Sequence, residues 1–546
     1  MSTHPRVYRR RRAAVALGLL AVATLATKAV AAPSPQPDWM PIQRVASPVQ
    51  VVRHDPAETE LPPGIIDQSS VVGLVPQRLV SAAARAAARW TYLPGESAFN
   101  ERLDDLVVKA IAAHGAAQGL PAYHPAPSPT GAGLGDRGCR AGSTLLPAAE
   151  ILADAALAPQ GTGGPVVTVV CDVVYASGPY FGERVRVVSG TPEAVSGDTT
   201  TVLYTDTSTG QIVEAADIVR AGAVDEVWAP TVSALRLAAG ALWEMETTAP
   251  SESARAAVES ALLRASITAD GSLALPFDMP LEGPEFASLA GFDPLFPTLV
   301  TLPAEQGREL FALFGQSLLD TAAAKQPYTG LPDLPAAADR TNCDLVPCVA
   351  VTFDDGPGPN TPAVLDALAQ ADASATFFLL GPAAERFPDT VKRAFAEGHT
   401  IGTHTWSHPE LTGLTDAKIA EEVERTQRAV ATITGQTPAY FRPPYGALNE
   451  RVTRRLADLG LPAVLWDVDS ADWQVPPAAV LFDNAVTPAK DGSIILFHDI
   501  KANTVEQVPA VLDGLRDRGF SLVTLDHLLG GTPPPPGSTL RSANVG

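Results

Sequence analysis

Charged residues are scarce in this sequence, at 18%, and basic residues are scarcer than acidic ones, 39 against 60. Removing the first 28 residues, which hold six basic residues and no acidic one, leaves 33 against 60 and a net charge of −27. So acidic a chain lacks the positive surface that nucleic acid requires and is repelled by anionic lipid. The composition therefore excludes a nucleic-acid binder, and it is not that of a coiled coil or a multi-pass membrane protein.

Cysteine is also scarce, with four residues and none before Cys139, which excludes a lipid-modified cysteine near the N-terminus. Neither the pair Cys139 and Cys171 nor the pair Cys343 and Cys348 has the C-x-x-C spacing or the neighbouring histidine cluster that a zinc site of that type needs. A small, even number is typical of two disulfides in an oxidising compartment. Cys343 and Cys348 are five apart and are predicted to close a local loop, so Cys139 would pair with Cys171.

The apolar run near the N-terminus, residues 13–27, is only 15 residues long. A bilayer span needs about 20. Five arginines precede the run and Ala29-Val30-Ala31 follows it, which is the layout of a cleaved secretory signal peptide. We therefore predict a secreted, extracellular protein at the cell wall, without stable membrane insertion after cleavage. A retained membrane anchor is the alternative.

The length of 546 residues favours two to four domains, and 46% hydrophobic residues are enough for buried cores. Proline-rich stretches indicate the boundaries. The predicted parts are a signal peptide over 1–31, a linker over 32–60, an α+β accessory domain over 61–325, a linker over 326–342, a catalytic domain over 343–530 and a disordered tail over 531–546.

The accessory region mixes helical and strand patterns. Residues 100–113 repeat apolar side chains at helical spacing, whereas residues 165–175 and 211–213 are β-branched runs typical of strands. The segments 116–145 and 268–296 are rich in Gly, Pro and Ala and are predicted to be long loops. These patterns favour an α+β domain.

Beyond residue 343, short apolar runs alternate with helical patterns, which is typical of a parallel α/β sheet or barrel. In such a barrel the functional residues gather at the C-terminal ends of the strands. The predicted strands are 349–353, 375–380, 400–403, 440–442, 463–468, 494–498 and 522–525, and the predicted helices include 416–433, 450–459 and 505–518.

Two of these strand ends carry residues that can bind a metal. Asp354 and Asp355 are adjacent carboxylates that point in different directions, so one can hold an ion while the other accepts a proton. His404 and His408 are four apart, on one face of a helical turn, and can complete a His₂Asp site that stays open to water and substrate. Each pattern alone is more often a solvated turn or a pair of surface histidines.

Three further strand ends add polar residues in a fixed order. The turn after Arg442 contains two prolines that would hold the Tyr445 N–H rigidly, as an oxyanion donor requires. Each motif has a simpler explanation as turn or core, but five such strand ends in order are improbable by accident. The remaining residues of these motifs are Asp469, Asp472, Trp473 and His498, of which the histidine can act as an acid.

Together the five motifs resemble those of the polysaccharide deacetylases, carbohydrate esterase family 4, over residues 341–530. The resemblance implies an α/β fold with a distorted (β/α) barrel and hydrolysis of an amide. It makes Asp354 the base, Asp355, His404 and His408 the metal ligands, Arg442 the residue that orients the base, Tyr445 the oxyanion donor and His498 the acid. Either Asp469 or Asp472 would tune His498 or Arg442, with Asp472 favoured for the histidine, and Trp473, Leu496, Pro443 and Asp469 would contact substrate.

The resemblance also implies a cofactor and a partner. The cofactor is a divalent metal, zinc first, with Co²⁺, Ni²⁺ or Mn²⁺ as alternatives. The partner is a polysaccharide, and the enzyme is expected to be a monomeric N-deacetylase of an N-acetylglucosamine polymer, with peptidoglycan ahead of chitin. Acetylxylan O-deacetylation is an alternative. A different class, an inactive carbohydrate-binding wall protein, would be expected to have lost a ligand or the base.

The accessory region has a fainter resemblance of its own. Residues 92–94, 99–100 and 203–210 are similar to the extracellular α/β domain of certain anti-sigma factors and deacetylases. That similarity implies a wall-facing binding or positioning module. The alternative is a spacer that holds the enzyme off the membrane.

Overall fold

The computed structural model describes residues 49–53, 60–95, 97–239, 250–283, 285–286, 297–330 and 341–543. The predicted signal peptide lies outside these ranges. Across the described ranges, no helix combines the length and the apolar character needed to cross a membrane.

The first half of the chain contains two sheets. A six-stranded sheet has the order β2-β3-β4-β5-β6-β7, in which only β3 and β4 are parallel, and a four-stranded antiparallel sheet has the order β1-β10-β9-β8. Their strands are β1 Gln50–Arg53, β2 Val75–Ser81, β3 Ala86–Tyr92, β4 Val166–Ser177, β5 Tyr180–Thr191, β6 Ala194–Asp206, β7 Gln211–Glu214, β8 Ser266–Ile267, β9 Leu273–Phe277 and β10 Thr298–Leu302.

Helices cover these sheets because one face of each is apolar. The longest, α1, has the cap residues Ser97 and Gly119 and buries Leu103, Val107 and Ile111 in the core beside β3 and β4. The α+β pattern predicted here is thus observed. The helices of this half are α1 Ala98–Gln118, α2 Ala148–Ala153, α3 Ala215–Ile218, α4 Ala223–Ala238, α5 Glu252–Leu263, α6 Ala304–Leu310 and α7 Leu313–Ala323.

The second half alternates strands and helices. Its strands are β11 Cys348–Asp354, β12 Thr376–Leu379, β13 Thr400–Thr403, β14 Ala463–Val464, β15 Val468–Asp469, β16 Ile494–His498, β17 Ser521–Val523 and β18 Thr539–Leu540. Its helices are α8 Thr361–Gln370, α9 Gly381–Arg386, α10 Pro388–Ala396, α11 Asp416–Thr434, α12 Glu450–Asp458, α13 Ala478–Val486, α14 Ala502–Asp517 and α15 Leu525–Leu528.

The strands of this half form a parallel sheet of order β13-β12-β11-β16-β15, with β17 also on β11. Single parallel bridges continue the pairing from Thr403 to Phe441 and from Phe441 to Ala463 at the start of β14. The pairing therefore runs round from β13 to the segment that contains β14 and β15. The α/β class is confirmed, and this route has the irregularity expected of a distorted barrel.

Two predicted strands are shorter than expected. The segment 440–442 contributes only the bridging residue Phe441, and the segment 463–468 is divided into β14 and β15. The division arises because Ala463 and Val464 pair with β18 and Ala463 also bridges to Phe441, whereas Val468 and Asp469 pair with β16. Residues that change partners within one segment cannot keep a single regular strand.

The predicted disorder of residues 531–546 is wrong for the described part of that tail. β18 pairs in parallel with β14, and Leu540 is buried against Tyr440 and Val464. The Leu465 N–H donates to the carbonyl of Leu540 at 2.7 Å. Composition pointed to disorder because of the proline run, but the short apolar segment after it satisfies an otherwise open strand edge.

Two other boundaries also differ. Within the predicted linker 32–60, β1 pairs with β10, because its two central valines pack against the core of the four-stranded sheet. Within the predicted loop 268–296, all five residues of β9 are buried between β8 and β10. The sequence did not predict this strand because β9 contains a proline, and a proline cannot donate a hydrogen bond within a sheet.

Both predicted disulfides are confirmed, Cys139–Cys171 and Cys343–Cys348. The second lies at the contact between the two halves, because Cys348 packs in the same core cluster as Trp90 and Phe181 of the first half. A segment of the first half also binds the end of α14, where the Leu134 N–H donates to the carbonyl of Asp517 at 3.1 Å. The two halves therefore share core and hydrogen bonds.

Arg137 is the side chain that crosses this contact most directly. It is buried, and its Nη2 donates to the carbonyls of Arg516 at 3.0 Å and Phe520 at 2.7 Å. Arg137→Ala should lower the free energy of unfolding by about 1.5–3 kcal/mol, the usual worth of a hydrogen bond from a charged donor. Denaturant unfolding of the full chain measures the change.

Arg140→Ala is the matched control, because the exposed Arg140 side chain pairs, within the described part of the chain, only with Asp154 of its own half. That variant should unfold close to the wild-type midpoint. Equal losses for the two variants would show that Arg137 does not join the halves.

Candidate active site

The ends of β11, β13 and β16 bring the predicted residues into one cleft. Asp354 closes β11, and its Cα is in register with Phe378 of β12 and His498 of β16. His404 directly follows β13, and its Nε2 lies 3.8 Å from Asp354 Oδ2. The predicted base, acid and first histidine are therefore neighbours, as parallel strands that end at one edge require.

Three of these residues have the geometry of a metal site. Asp355 Oδ1 lies 3.4 Å from His408 Nε2 and 3.7 Å from His404 Nε2, and the ligand atoms of the three residues all fall within 4.8 Å of one another. Asp355 Oδ1 is buried without a hydrogen-bond partner among the residues described. A buried carboxylate oxygen without a hydrogen-bond partner, together with two imidazole nitrogens facing it, forms a set of ligand atoms that suits a divalent ion.

His404 is held in the neutral, Nε2-accepting form that metal binding needs. His404 Nδ1 donates to the backbone oxygen of Arg442 at 2.7 Å, which leaves Nε2 as the acceptor. Burial lowers the pKa of His404 to about 3, so its imidazole is neutral at physiological pH. His408 Nδ1 lies 3.2 Å from the Tyr445 hydroxyl. These residues therefore fit a divalent metal.

Asp354 forms a buried ion pair with Arg442. Arg442 Nη1 donates to Asp354 Oδ1 at 2.8 Å, and both side chains are almost inaccessible to solvent. Burial raises the pKa of Asp354, and the positive charge of Arg442 opposes that rise. The carboxylate can thus remain a base that is more basic than a solvent-exposed aspartate.

His498 is paired with Asp472, not with Asp469. His498 Nδ1 lies 2.7 Å from Asp472 Oδ1, and the backbone N–H of His498 donates to Asp472 Oδ2 at 2.7 Å. Burial alone would lower the pKa of His498, but the hydrogen bond and charge of Asp472 outweigh it and raise the pKa. Asp469 is exposed and instead accepts the Ala471 N–H at 2.8 Å.

The turn after Arg442 places Tyr445 at the rim. Pro443 and Pro444 accept the N–H groups of Gly446 and Ala447, so the turn's own hydrogen bonds do not use the Tyr445 N–H. Tyr445 has φ 62°, a strained value for a residue with a side chain. Its ring is 69% exposed.

The other predicted contact residues differ in burial. Trp473 is 54% exposed in a short helical turn that begins at Asp472, so its ring can form a wall of the cleft. Leu496 is buried within β16, and its Cα is in register with Thr352 and Asp469. Pro443 is buried at the start of its turn. The structure thus brings every predicted site residue to these strand ends or the turns that follow them.

Sequence reasoning missed polar residues beneath this site. Asp499 is buried and bonded by the Thr361 hydroxyl, and burial raises its pKa to about 7. A Cβ on Gly356 would lie 2.4 Å from its carboxylate oxygens, so Asp499 packs directly under the loop after Asp355. The position of Asp499 directly after His498 was a sequence signal that could have identified it. Thr504 of α14, whose hydroxyl donates to Asp472, had no such signal in the sequence.

Comparison with known proteins gives matches to this second half. The family model described as polysaccharide deacetylase matches residues 341–464. A peptidoglycan-N-acetylglucosamine deacetylase of Listeria monocytogenes is 39% identical over 201 residues, 37% of this chain and 41% of that protein. A peptidoglycan-N-acetylmuramic acid deacetylase of Bacillus subtilis is 36% identical over 181 residues, 33% of this chain and 38% of that protein.

A third relative is matched over most of its own length. The chitooligosaccharide deacetylase of Rhizobium leguminosarum bv. trifolii is 35% identical over 192 residues, which are 32% of this chain and 89% of that protein. The chain thus spans about two fifths of the first two relatives but nearly all of this one. With the family match and the five strand-end motifs, these similarities show that this chain belongs to the polysaccharide deacetylase family.

Proposed function

We propose that this protein is a secreted, metal-dependent deacetylase that hydrolyses N-acetyl groups of an N-acetylglucosamine polymer, with peptidoglycan as the first candidate. The observation that carries the proposal is the close group of Asp355, His404 and His408 beside the buried Asp354, with the partly buried His498 in register on the neighbouring strand. Two relatives named for peptidoglycan support that substrate, and a relative named for chitooligosaccharides makes chitin the alternative.

Asp355, His404 and His408 would hold the ion, zinc first. A bound divalent ion supplies Lewis acidity toward the acetyl carbonyl and toward water. Asp354 is the proton acceptor, because Arg442 holds its carboxylate ionised and fixed in direction. The Tyr445 N–H, presented by a proline-stiffened turn, donates to the oxygen that gains charge as the carbonyl becomes tetrahedral.

His498 completes the reaction as the general acid. An amide has a poor leaving group, so the departing sugar nitrogen needs a proton as the C–N bond breaks. Asp472 holds Nδ1, which leaves Nε2 as the nitrogen that delivers the proton. The products are acetate and a free amino sugar. Trp473 and Tyr445, the exposed rings beside the cleft, would contact the sugar chain.

The place of action follows from the sequence more than from the described residues. The basic and apolar segment before residue 32 supports export, and both disulfides suit an oxidising compartment. For residues 61–325 we retain the hypothesis of a wall-facing positioning module.

Purified full-length protein should release acetate from peptidoglycan and from N-acetylglucosamine oligomers, and a chelator should abolish the release until zinc is restored. Acetylxylan serves as the O-acetyl control. Acetate release measured on all three substrates decides among the alternatives. No acetate from any of them after zinc addition would contradict the enzyme proposal.

Asp354→Asn should keep its zinc, because the three ligands are unchanged, yet release acetate at least ~10²-fold more slowly, since the amide cannot accept the proton. Zinc content by atomic absorption and turnover are measured on one preparation. Asp458→Asn, at an exposed carboxylate of α12 that pairs with Arg455 of the same helix, is the matched control. Near-normal turnover of Asp354→Asn would refute the base assignment.

Asp472→Asn should shift the pH dependence of kcat/KM. Asp472 raises the pKa of His498, so its loss lowers that pKa, and the acid form of His498 disappears at lower pH. The alkaline limb of the profile should therefore move toward lower pH, with an overall loss of roughly 10²-fold from the misplaced imidazole. An unchanged alkaline limb would exclude His498 as the acid that this limb reports.

A further inference from the structure

The turn between His404 and His408 is held by a carboxylate from another element. Glu422 of α11 accepts the backbone N–H groups of Trp406 at 2.9 Å and Ser407 at 2.7 Å through a single oxygen, Oε2. Its other oxygen, Oε1, accepts the Ser407 hydroxyl at 2.7 Å. Two successive N–H groups that converge on one anionic oxygen form a strong, directional contact. This single side chain makes three hydrogen bonds to the turn.

A second contact from the same helix holds the turn's aromatic residue. The guanidinium of Arg425 stacks on the Trp406 ring, 3.5 Å from its centroid. Glu422 and Arg425 are three residues apart, on one face of α11. The ring also packs against Gly381, where a Cβ would come within 2.1 Å of it. Both α11 and α9 thus contact Trp406.

The backbone of this turn needs such support because it is strained. Thr405 has φ 73° and His408 has φ 58°, values that side-chain-bearing residues seldom adopt. Strain of this kind persists only where surrounding contacts over-determine the conformation. His408 is also the more exposed of the two imidazoles, so its position depends on the backbone more than that of the buried His404.

We propose that Glu422 is a positioning residue that sets the metal affinity of the site by holding the His404–His408 turn. The inference rests on the metal site of the proposed function and goes beyond it, because Glu422 contacts neither the ligand atoms nor the cleft residues named above. Groups that orient metal ligands typically change metal affinity 10–100-fold when they are removed. Glu422 acts on backbone N–H groups, so its effect on the imidazoles is through the turn.

The test is zinc affinity of the metal-free full-length protein, measured by competition with a chromophoric chelator. Glu422→Ala should bind zinc about 10–100-fold more weakly than the wild type. Glu422→Gln should recover most of the affinity, because its amide oxygen can accept both N–H groups. Glu422→Asp keeps the charge but is one methylene shorter, so it should bind zinc more weakly than Glu422→Gln.

Glu421→Ala is the matched control, because the neighbouring Glu421 is exposed and, among the residues that the structure describes, its side chain pairs only with Lys418, at 2.7 Å. It should bind zinc like the wild type. Thermal unfolding of the metal-free variants separates local positioning from general destabilisation, and the midpoint of Glu422→Gln should match that of the wild type.

Wild-type affinity in Glu422→Ala would overturn the inference. So would an equal loss in Glu421→Ala, which would indicate a general charge effect. If Glu422→Ala does not fold, the zinc affinities of Glu422→Gln and Glu422→Asp are compared instead. Tighter zinc binding by Glu422→Asp than by Glu422→Gln would contradict the hydrogen-bond argument. If the wild type itself binds no zinc, the metal site of the proposed function fails, and that result is distinguishable from the others.

Discussion

The guanidinium of Arg442 is buried at the centre of the second half, where a positive charge is stable only if its donors are paired. Nη1 donates to Asp354 and to the Thr352 hydroxyl at 2.7 Å. Nε and Nη2 donate to the carbonyls of Val464 and Leu465, each at 3.2 Å, and the group lies over the Phe378 ring. The backbone carbonyl of Arg442 also accepts the hydrogen bond from His404 Nδ1. Arg442 therefore orients both the proposed base and a proposed metal ligand.

The partners of the two proposed proton-transfer groups stabilise opposite charges on them. Asp354 is paired with a permanent cation, which favours its carboxylate form. His498 is paired with a carboxylate, which favours its imidazolium form. Environments that hold two titratable groups in opposite states let one accept a proton while the other donates one. The arrangement depends on burial, because both pairs would be weak if water reached them.

The contact between the two halves lies at the other end of the strands. β17 pairs with the first residues of β11, Cys348 to Ala350, whereas Asp354 is the last residue of β11. The segment with Leu134 and Arg137 binds the chain just before β17. In barrels of this kind that face contributes stability, and the opposite face carries the chemistry. The described part of the first half therefore contacts the barrel on the face opposite the proposed site.

Local pattern was enough to predict most elements of the second half. β13 and β16 have the predicted bounds, and α11 begins at the predicted residue, because their apolar spacing is regular and their neighbours agree with it. Where one segment serves two partners, as at β14 and β15, no local pattern reports the division. The strand at 539–540 was missed for a related reason, since its pairing with β14 depends on a distant edge.

The sequence by itself determined the order of the site residues, because the motifs follow short apolar runs that can be read as strands. Those motifs also carry the resemblance to the family. The sequence favoured Asp472 over Asp469 as the partner of His498, but without a geometric reason for the preference. Only tertiary structure decided that choice, since it depends on the direction in which one turn places two carboxylates. The same holds for Glu422 and Thr504, which contact turns of the site from helices that follow 15 and 32 residues later in the chain, and whose role arises from packing.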